Sequence, residues 1–345
     1  MHNYSATKTY NATSNFPGKV NVAVVGGTGY SGHELVRILK NHKCIDKILV
    51  FGSKDTIAEI ISMNEKYEFV FLATPAEVSI NLSPELLSLG KTVIDLSGAF
   101  RLNTPNILED YLKWYSLEHL QPSLVKAAHY GLVPWNVQIQ SKLIANPGCY
   151  ATAVLMALLP LLKNKIISEN HLVIDAKSGT TGAGKKPSEG LMFSEVDGEC
   201  LPYKISKHQH LPEITHYCNQ LGSASIDPHF STHLLPVRRG IIVGLYSYLL
   251  PDKTSVDVDH AFKEFYAHYP LVKFSQGINK ELVSLKSVAG TAHTHISYVF
   301  DDKKIYLYSV IDNLLKGAAS QAVENFNILL NQPIDTGLEY LESII

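Results

Sequence analysis

Cysteine is sparse in this 345-residue chain, and the four present, Cys44, Cys149, Cys200 and Cys218, lie far apart with no C-x-x-C pair. That spacing excludes a disulfide framework and a zinc ribbon, and with no signal peptide it reads as reduced thiols in a cytoplasmic setting. A charge excess of either sign is missing too: 30 basic residues face 32 acidic ones, a net charge of −2. Such a balance carries no electrostatic footprint for nucleic acid or an anionic membrane. Apolar runs fall far short of the ~18 residues that a membrane span requires. Arginine is scarcest of all, at positions 37, 101, 238 and 239 only, so each one merits attention as a bidentate donor.

What is present is an ordinary globular composition, 46% apolar and 18% charged, with length for two domains. Residues 1–18 are polar, without periodicity, and end in Pro-Gly; they are expected to be a disordered tail. From Val20 a strand, V-N-V-A-V-V, runs into G-G-T-G-Y-S-G; a helix over 32–41 and a strand over 45–50 follow. Glycines at 26, 27, 29 and 32 allow a backbone to approach a pyrophosphate seated on a helix N-terminus. Gly26, Gly29 and Gly32, with Thr28, Tyr30 and Ser31 between them, are therefore candidate cofactor contacts. The second strand closes on Phe51-Gly52-Ser53-Lys54, with no carboxylate before Asp55 to take a ribose 2′-hydroxyl. Ser53 and Lys54 suit a 2′-phosphate instead, so the expected cofactor is NADP(H).

Strand and helix keep alternating: a strand over 69–73 ending in Thr74-Pro75, a helix over 77–89 broken at Pro84, and a strand over 92–96 closing in D-L-S-G-A-F-R. Ligands collect at the carboxyl ends of parallel strands, which brings in Pro75 and Arg101, the latter as a clamp for a phosphate or carboxylate. Beyond the Cys149 helix, strand-like runs dominate at 172–176, 231–237, 242–250, 295–300 and 305–310, several alternating with period two. An amphipathic helix over 313–330 should return to the first domain. The fold class expected is an α/β Rossmann domain with a parallel, doubly wound sheet (19–148 plus 313–345). Joined to it is an α+β catalytic and oligomerisation domain with a mainly antiparallel sheet (149–312).

The chain is organised around I-A-N-P-G-C-Y-A-T-A, residues 144–153. A strand end, a Pro-Gly turn and a helix pattern put Cys149 at a helix N-terminus, where free N–H groups and the dipole favour a thiolate. K-S-G-T-T-G-A-G-K-K, residues 177–186, is a second glycine-rich loop, with Ser178 and Gly179 placed to meet a ligand. His208 and His210, in H-Q-H-L-P-E, are the acid/base candidates. No third His or Cys stands at metal-ligand spacing, so no metal is expected. A thiol, an imidazole and a nicotinamide imply one economical reaction: attack on an activated acyl group, a thioester, hydride transfer and release of an aldehyde.

These residues resemble the N-acetyl-γ-glutamyl-phosphate reductase family over nearly the whole chain after the tail. G-G-T-G-Y-S-G-H-E-L is similar to its nucleotide loop, N-P-G-C-Y-A-T-A to its active-site signature, and D-N-L-L-K-G-A-A-S-Q-A-V-E-N-F-N to its C-terminal helix. D-L-S-G-A-F-R-L, S-G-T-T-G-A-G and H-Q-H-L-P-E-I match further family motifs. The resemblance implies NADPH-dependent reduction of N-acetylglutamyl phosphate, a small acyl phosphate, by a homodimer or homotetramer. Cys149 would be the nucleophile and His208 or His210 the acid/base. Asn313 would approach the nicotinamide, and Arg101, Asn146 and Glu213 would lie on the substrate side. One departure stands out: Gly131-Leu132-Val133-Pro134 replaces the family's G-L-x-E, so a carboxylate is absent.

Aspartate-semialdehyde dehydrogenase and a reductase for the one-carbon-longer aminoadipyl phosphate share the thioester route, and a non-catalytic NADP sensor could share the fold. Ser53 and Lys54 generate the first prediction. Steady-state efficiency should be higher with NADPH than with NADH, and equal or better turnover with NADH would remove the 2′-phosphate reading.

Overall fold

The computed structural model describes residues 18–119, 121–339 and 341. All of the expected tail except Gly18 lies outside those residues, as do 340 and 342–345 of the C-terminal stretch. Six strands form the first sheet: β1 (Val20–Val25), β2 (Ile45–Phe51), β3 (Phe69–Leu72), β4 (Thr92–Asp95), β5 (His129–Tyr130) and β6 (Leu143–Ala145). Their order is β2-β1-β3-β4-β6-β5, and every pair is parallel. The cause is visible in β1. Val22 and Val24 enter one apolar cluster while Ala23 and Val25 enter another. A strand apolar on both faces needs helical cover on both sides, which is the condition of a parallel sheet.

The helix after β3 runs unbroken over Ala76–Ser88, correcting the expected break at Pro84. Proline removes one backbone donor there, but Ile80, Leu82 and Leu86 are buried on either side and hold the helix through the gap.

The second sheet contains β7 (Val173–Gly179), β8 (Leu201–Pro202), β9 (His229–Leu235), β10 (Ile241–Tyr248), β11 (Val272–Gln276), β12 (Thr294–Asp301) and β13 (Lys304–Ile311). They run in the order β11-β12-β13-β10-β7-β9-β8. The pairs β11–β12 and β7–β9 are parallel and the other four antiparallel, so the sheet is mixed and mainly antiparallel. The helix Cys149–Lys163 lies against β10 and β13, with Tyr150 through Leu162 all buried. Being apolar all round, it can only be a core helix.

The C-terminal element differs from a single amphipathic helix. A π-helical turn, Leu315–Ala319, leads into an α-helix, Ser320–Leu329, in which Gln321, Glu324, Asn325 and Asn327 are as buried as Val323 and Phe326. Apolar spacing marks one inward face, but the polar face is enclosed as well because the first sheet and the Cys149 helix pack on opposite sides. Phe326 meets the rings of Phe69 and Phe71, with centroids 5.0 and 5.5 Å away, and Asn327 Oδ1 accepts from His42 Nε2 at 2.8 Å. One apolar cluster therefore runs from β1 through this helix to β10. Phe326→Ala should destabilise the protein by about 3–5 kcal/mol, the usual cost of emptying a buried aromatic site. Urea unfolding would measure it, and a change under 1 kcal/mol would contradict the packing role.

Candidate active site

The carboxyl end of β6 continues as Asn146-Pro147-Gly148 and becomes a helix at Cys149, with Gly148 extended (φ −69°, ψ 152°) and no side-chain cap. The first-turn N–H groups are thus free to face a ligand. Cys149 is part-exposed between the buried Gly148 and Tyr150. Glu213, wholly buried, lies beneath the turn: its Oε1 accepts from the Gly148 N–H and from the Tyr130 hydroxyl, both at 2.8 Å. Arg101 Nη1 stands 3.9 Å from Glu213 Oε2.

The resting state of Cys149 differs from the thiolate that its turn position implies. Desolvation pushes its pKa up to about 11, and Glu213 adds to the rise. Arg101 and the Tyr150 N–H oppose it without overcoming it. A helix N-terminus contributes perhaps ~1–2 kcal/mol, less than the enclosure of the sulfur removes.

Geometry separates the two histidines. His210 opens the helix His210–Gly222, and its Nε2 occupies the space where a Cβ on Gly148 would stand; only glycine fits next to Cys149 for that reason. His208 lies one step back, its ring 4.8 Å from that of His210 and edge-on to Tyr150, Tyr203 and Phe230. The His210 N–H donates to His208 Nδ1 at 3.1 Å, which places the proton of a neutral His208 on Nε2. Burial lowers both: His208 to about 3, and His210 well below its ordinary value, with His208, Arg101 and Lys204 adding to the effect. Each imidazole is therefore neutral at rest.

The three residues expected on the substrate side form a buried cradle. Arg101 donates from Nε to Asn146 O and from Nη2 to Leu96 O, both at 2.7 Å. Asn146 donates to Ala318 O at 3.0 Å. Arg101 stands between two buried carboxyl groups, Glu213 and Asp95, the latter hydrogen-bonded to Ser79 and Ser97. Instead of reaching out as a bidentate clamp, the Arg101 fork is committed to carbonyls that shape the turn.

On the cofactor side, Gly26 (φ +83°) has its α-carbon against Ala73 O, and a Cβ on Gly32 would collide with Gly26 O. The loop can close this tightly only with glycine, and it leaves Gly29 at the head of the helix Tyr30–Leu39, a cradle that fits a pyrophosphate. Thr28 and Tyr30 are exposed and Ser31 is half-buried at its rim; Ser53, Lys54 and Pro75 are exposed at the ends of β2 and β3. Asp55 turns back, its carboxylate accepting from the Gly52 N–H at 2.6 Å. From the second sheet, Ser178 and Gly179 end β7. Asn313 ties that end to the next turn, accepting from Gly240 N at 2.8 Å and donating to Thr181 Oγ1 at 3.0 Å. Lys185 reaches the Thr28 carbonyl at 3.4 Å, so the second glycine-rich loop faces the first.

Sequence reasoning overlooked several neighbours: Tyr130, Tyr150, Tyr203, Gly317 and the ion pairs of Arg239 with Glu34 (2.7 Å) and Asp312 (2.9 Å). Gly317 left a signal, a glycine inside a helical run, and Arg239 was one of four arginines. The tyrosines left none, because aromatic residues in strands and helices ordinarily signal core.

The match to known families follows this geometry. A family described as semialdehyde dehydrogenase, NAD binding domain, matches residues 21–142, and one described as semialdehyde dehydrogenase, dimerisation domain, matches 149–313. Solved structures agree at the level of fold. Aspartate semialdehyde dehydrogenase II from Vibrio cholerae, complexed with ASA, superposes with a TM-score of 0.69 at 16% identity, covering 90% of this chain and 98% of that one. A probable aspartate-semialdehyde dehydrogenase from Pseudomonas aeruginosa gives 0.67 at 18% identity, covering 90% and 98%. The class is thus a nicotinamide-dependent oxidoreductase of the semialdehyde dehydrogenase type.

Sequence narrows it. The chain is 38% identical to the N-acetyl-gamma-glutamyl-phosphate reductase of Bacillus cytotoxicus, over 93% of this chain and 98% of that protein, and 38% identical to that of Brevibacillus brevis, over 92% and 98%. It belongs to the N-acetyl-gamma-glutamyl-phosphate reductase family.

The raised thiol generates a prediction. With a pKa of about 11, Cys149 is thiolate only to the order of 10⁻⁴ at pH 7, against ~3 × 10⁻² for a free thiol. Iodoacetamide should therefore label the Cys149 peptide of the ligand-free protein about 300-fold more slowly than a free thiol. The rate should climb about tenfold per pH unit between pH 7 and 10; a plateau near neutrality, read by peptide mass spectrometry, would overturn it.

Proposed function

We propose that this chain catalyses the NADPH-dependent reduction of N-acetyl-L-glutamyl 5-phosphate to N-acetyl-L-glutamate 5-semialdehyde with release of phosphate. The observation that carries the reading is the placement of the His210 imidazole against Gly148, next to a part-exposed cysteine at a helix N-terminus. A neutral thiol beside a neutral imidazole makes attack a proton-coupled step. As the Cys149 sulfur bonds to the acyl carbon, its proton passes to His210 Nε2, and the C–O bond to phosphate breaks. The first-turn N–H groups stabilise the negative oxygen that forms. The bound dinucleotide supplies the hydride that reduces the resulting thioester. His210 gives its proton to the tetrahedral oxygen. It then takes that proton back as the C–S bond breaks, releases the aldehyde and reprotonates the sulfur. Phosphate leaves with a proton from water.

Arg101, Asn146 and Glu213 serve this chemistry by holding the turn, and Arg101 is the cation nearest the thiolate as it forms. His208 orients His210. Gly26 to Gly32, Ser53, Lys54, Pro75, Ser178, Gly179 and Asn313 line the cofactor path, and the cradle without a Cβ supports that assignment. Residues 19–148 with 313–345 form the cofactor-binding domain and 149–312 the catalytic one, a division that follows the two sheets. The relatives' dimerisation domain supports an oligomer, a homodimer or homotetramer. Four free thiols suit a cytoplasmic enzyme.

Cys149→Ala should abolish turnover while NADPH still binds; residual turnover would contradict covalent catalysis, and a wild-type protein that binds NADPH without any turnover would point to a sensor instead. His210→Asn should lower kcat by about 10²–10⁴-fold, more than His208→Asn. Phosphate-dependent reduction of NADP by N-acetylglutamate semialdehyde should exceed that by aspartate semialdehyde and by the aminoadipate homologue. One methylene is worth only ~1–3 kcal/mol, so the side-by-side rates decide the substrate.

A further inference from the structure

The π-helical turn Leu315–Ala319 is the wall behind the nucleophile. A Cβ on Gly317 would stand 2.6 Å from Cys149 Cβ, and the Ala318 carbonyl accepts from Asn146, three residues before Cys149. The turn is wound wider than an α-helix, with Gly317 N bonded to Asp312 O and Ala319 N to Leu314 O, each at 2.9 Å. An insertion of this kind needs something to hold it, since an α-helical register is otherwise favoured.

Lys316, within the turn, is wholly buried. Its ammonium donates to both oxygens of Glu324 at 2.9 Å, to the Tyr269 hydroxyl at 2.7 Å and to Val133 O at 3.2 Å; Tyr269 in turn donates to Glu324. All three ammonium protons are thereby taken. Glu324 is its ion-pair partner among the described residues and stands eight residues on, within the following α-helix. The carbonyl of Val133 belongs to the segment Gly131-Leu132-Val133-Pro134, and the negative charge beside the ammonium comes from Glu324. Arg239 and Asp312 pin the start of the turn: Asp312 accepts from the Leu314 and Leu315 N–H groups and from Arg239.

We propose that Lys316 and Glu324 are positioning residues for Cys149: their buried pair sets the π-helical turn whose Gly317 and Ala318 fix the cysteine and the Asn146 turn. This rests on the assignment of Cys149 as nucleophile and adds two residues that never meet substrate. A charge pair so enclosed is costly to break, because the remaining charge has no water to turn to. Losing one partner therefore moves the turn, and the wall moves with it.

Glu324→Gln keeps the size and removes the charge. Its kcat should fall at least tenfold with NADPH Kd unchanged within about twofold, and the labelling rate of Cys149 by iodoacetamide at pH 9 should shift at least fivefold. Lys316→Met combined with Glu324→Gln removes both charges and leaves neither unpaired, so it should fold and give the same signature even if Glu324→Gln alone does not. Wild-type kcat and labelling in either folded variant would overturn the proposal, as would a loss of kcat matched by an equal loss of NADPH affinity. Labelling needs no substrate, so it still tests the positioning role if the wild-type protein shows no reductase activity.

Discussion

The site depends on one buried carboxylate. Glu213 gathers the Gly148 N–H, the Tyr130 hydroxyl and the Arg101 guanidinium onto a single group without solvent. Burial raises its pKa above the ordinary carboxyl value, and Arg101 and the two hydrogen bonds offset only part of that rise. Hydrogen bonds to a charged acceptor contribute about 1.5–3 kcal/mol each, and breaking such a buried pair costs about 3–5 kcal/mol. That is enough to hold an uncapped Pro-Gly turn in one conformation. The turn carries Cys149 and the helix from Glu213 carries His210, so this carboxylate also sets the distance between thiol and imidazole.

A second consequence is resting neutrality. Enclosure raises the thiol and lowers both imidazoles, so neither partner is charged before an acyl group arrives. A thiol reacts with electrophiles and oxidants more slowly than a thiolate.

The cleft is closed by polar contacts between the sheets. Arg239 joins Glu34, on the helix that follows the nucleotide loop, to Asp312, at the end of β13. Asn313, next in sequence, links the ends of β7 and β10. The helix after the first glycine loop, the end of β7 and Cys149 thus all meet the one segment 312–317.

Local pattern was enough for much of this. The glycine loop, the strand before it and the Pro-Gly-Cys turn are legible because they obey short-range rules: a Cβ clash or a fixed φ decides them. The alternation of strand with helix likewise announced a parallel sheet, and period-two apolar residues a mainly antiparallel one after it. What the chain could not announce by itself depends on distant partners. The same helix-start position that favours a thiolate in isolation carries a raised thiol here, because desolvation is a property of everything packed around it. Arg101 reads as a free clamp until the carbonyls of Leu96 and Asn146 take two of its donors and Glu213 stands 3.9 Å from a third. The polar face of the last helix reads as solvated until the first sheet and the Cys149 helix close over it, turning Lys316 and Glu324 from surface charges into a buried pair. Sequence determined which chemistry was on hand; only the tertiary fold decided which charges lost their water, and with that which groups react and which hold them in place.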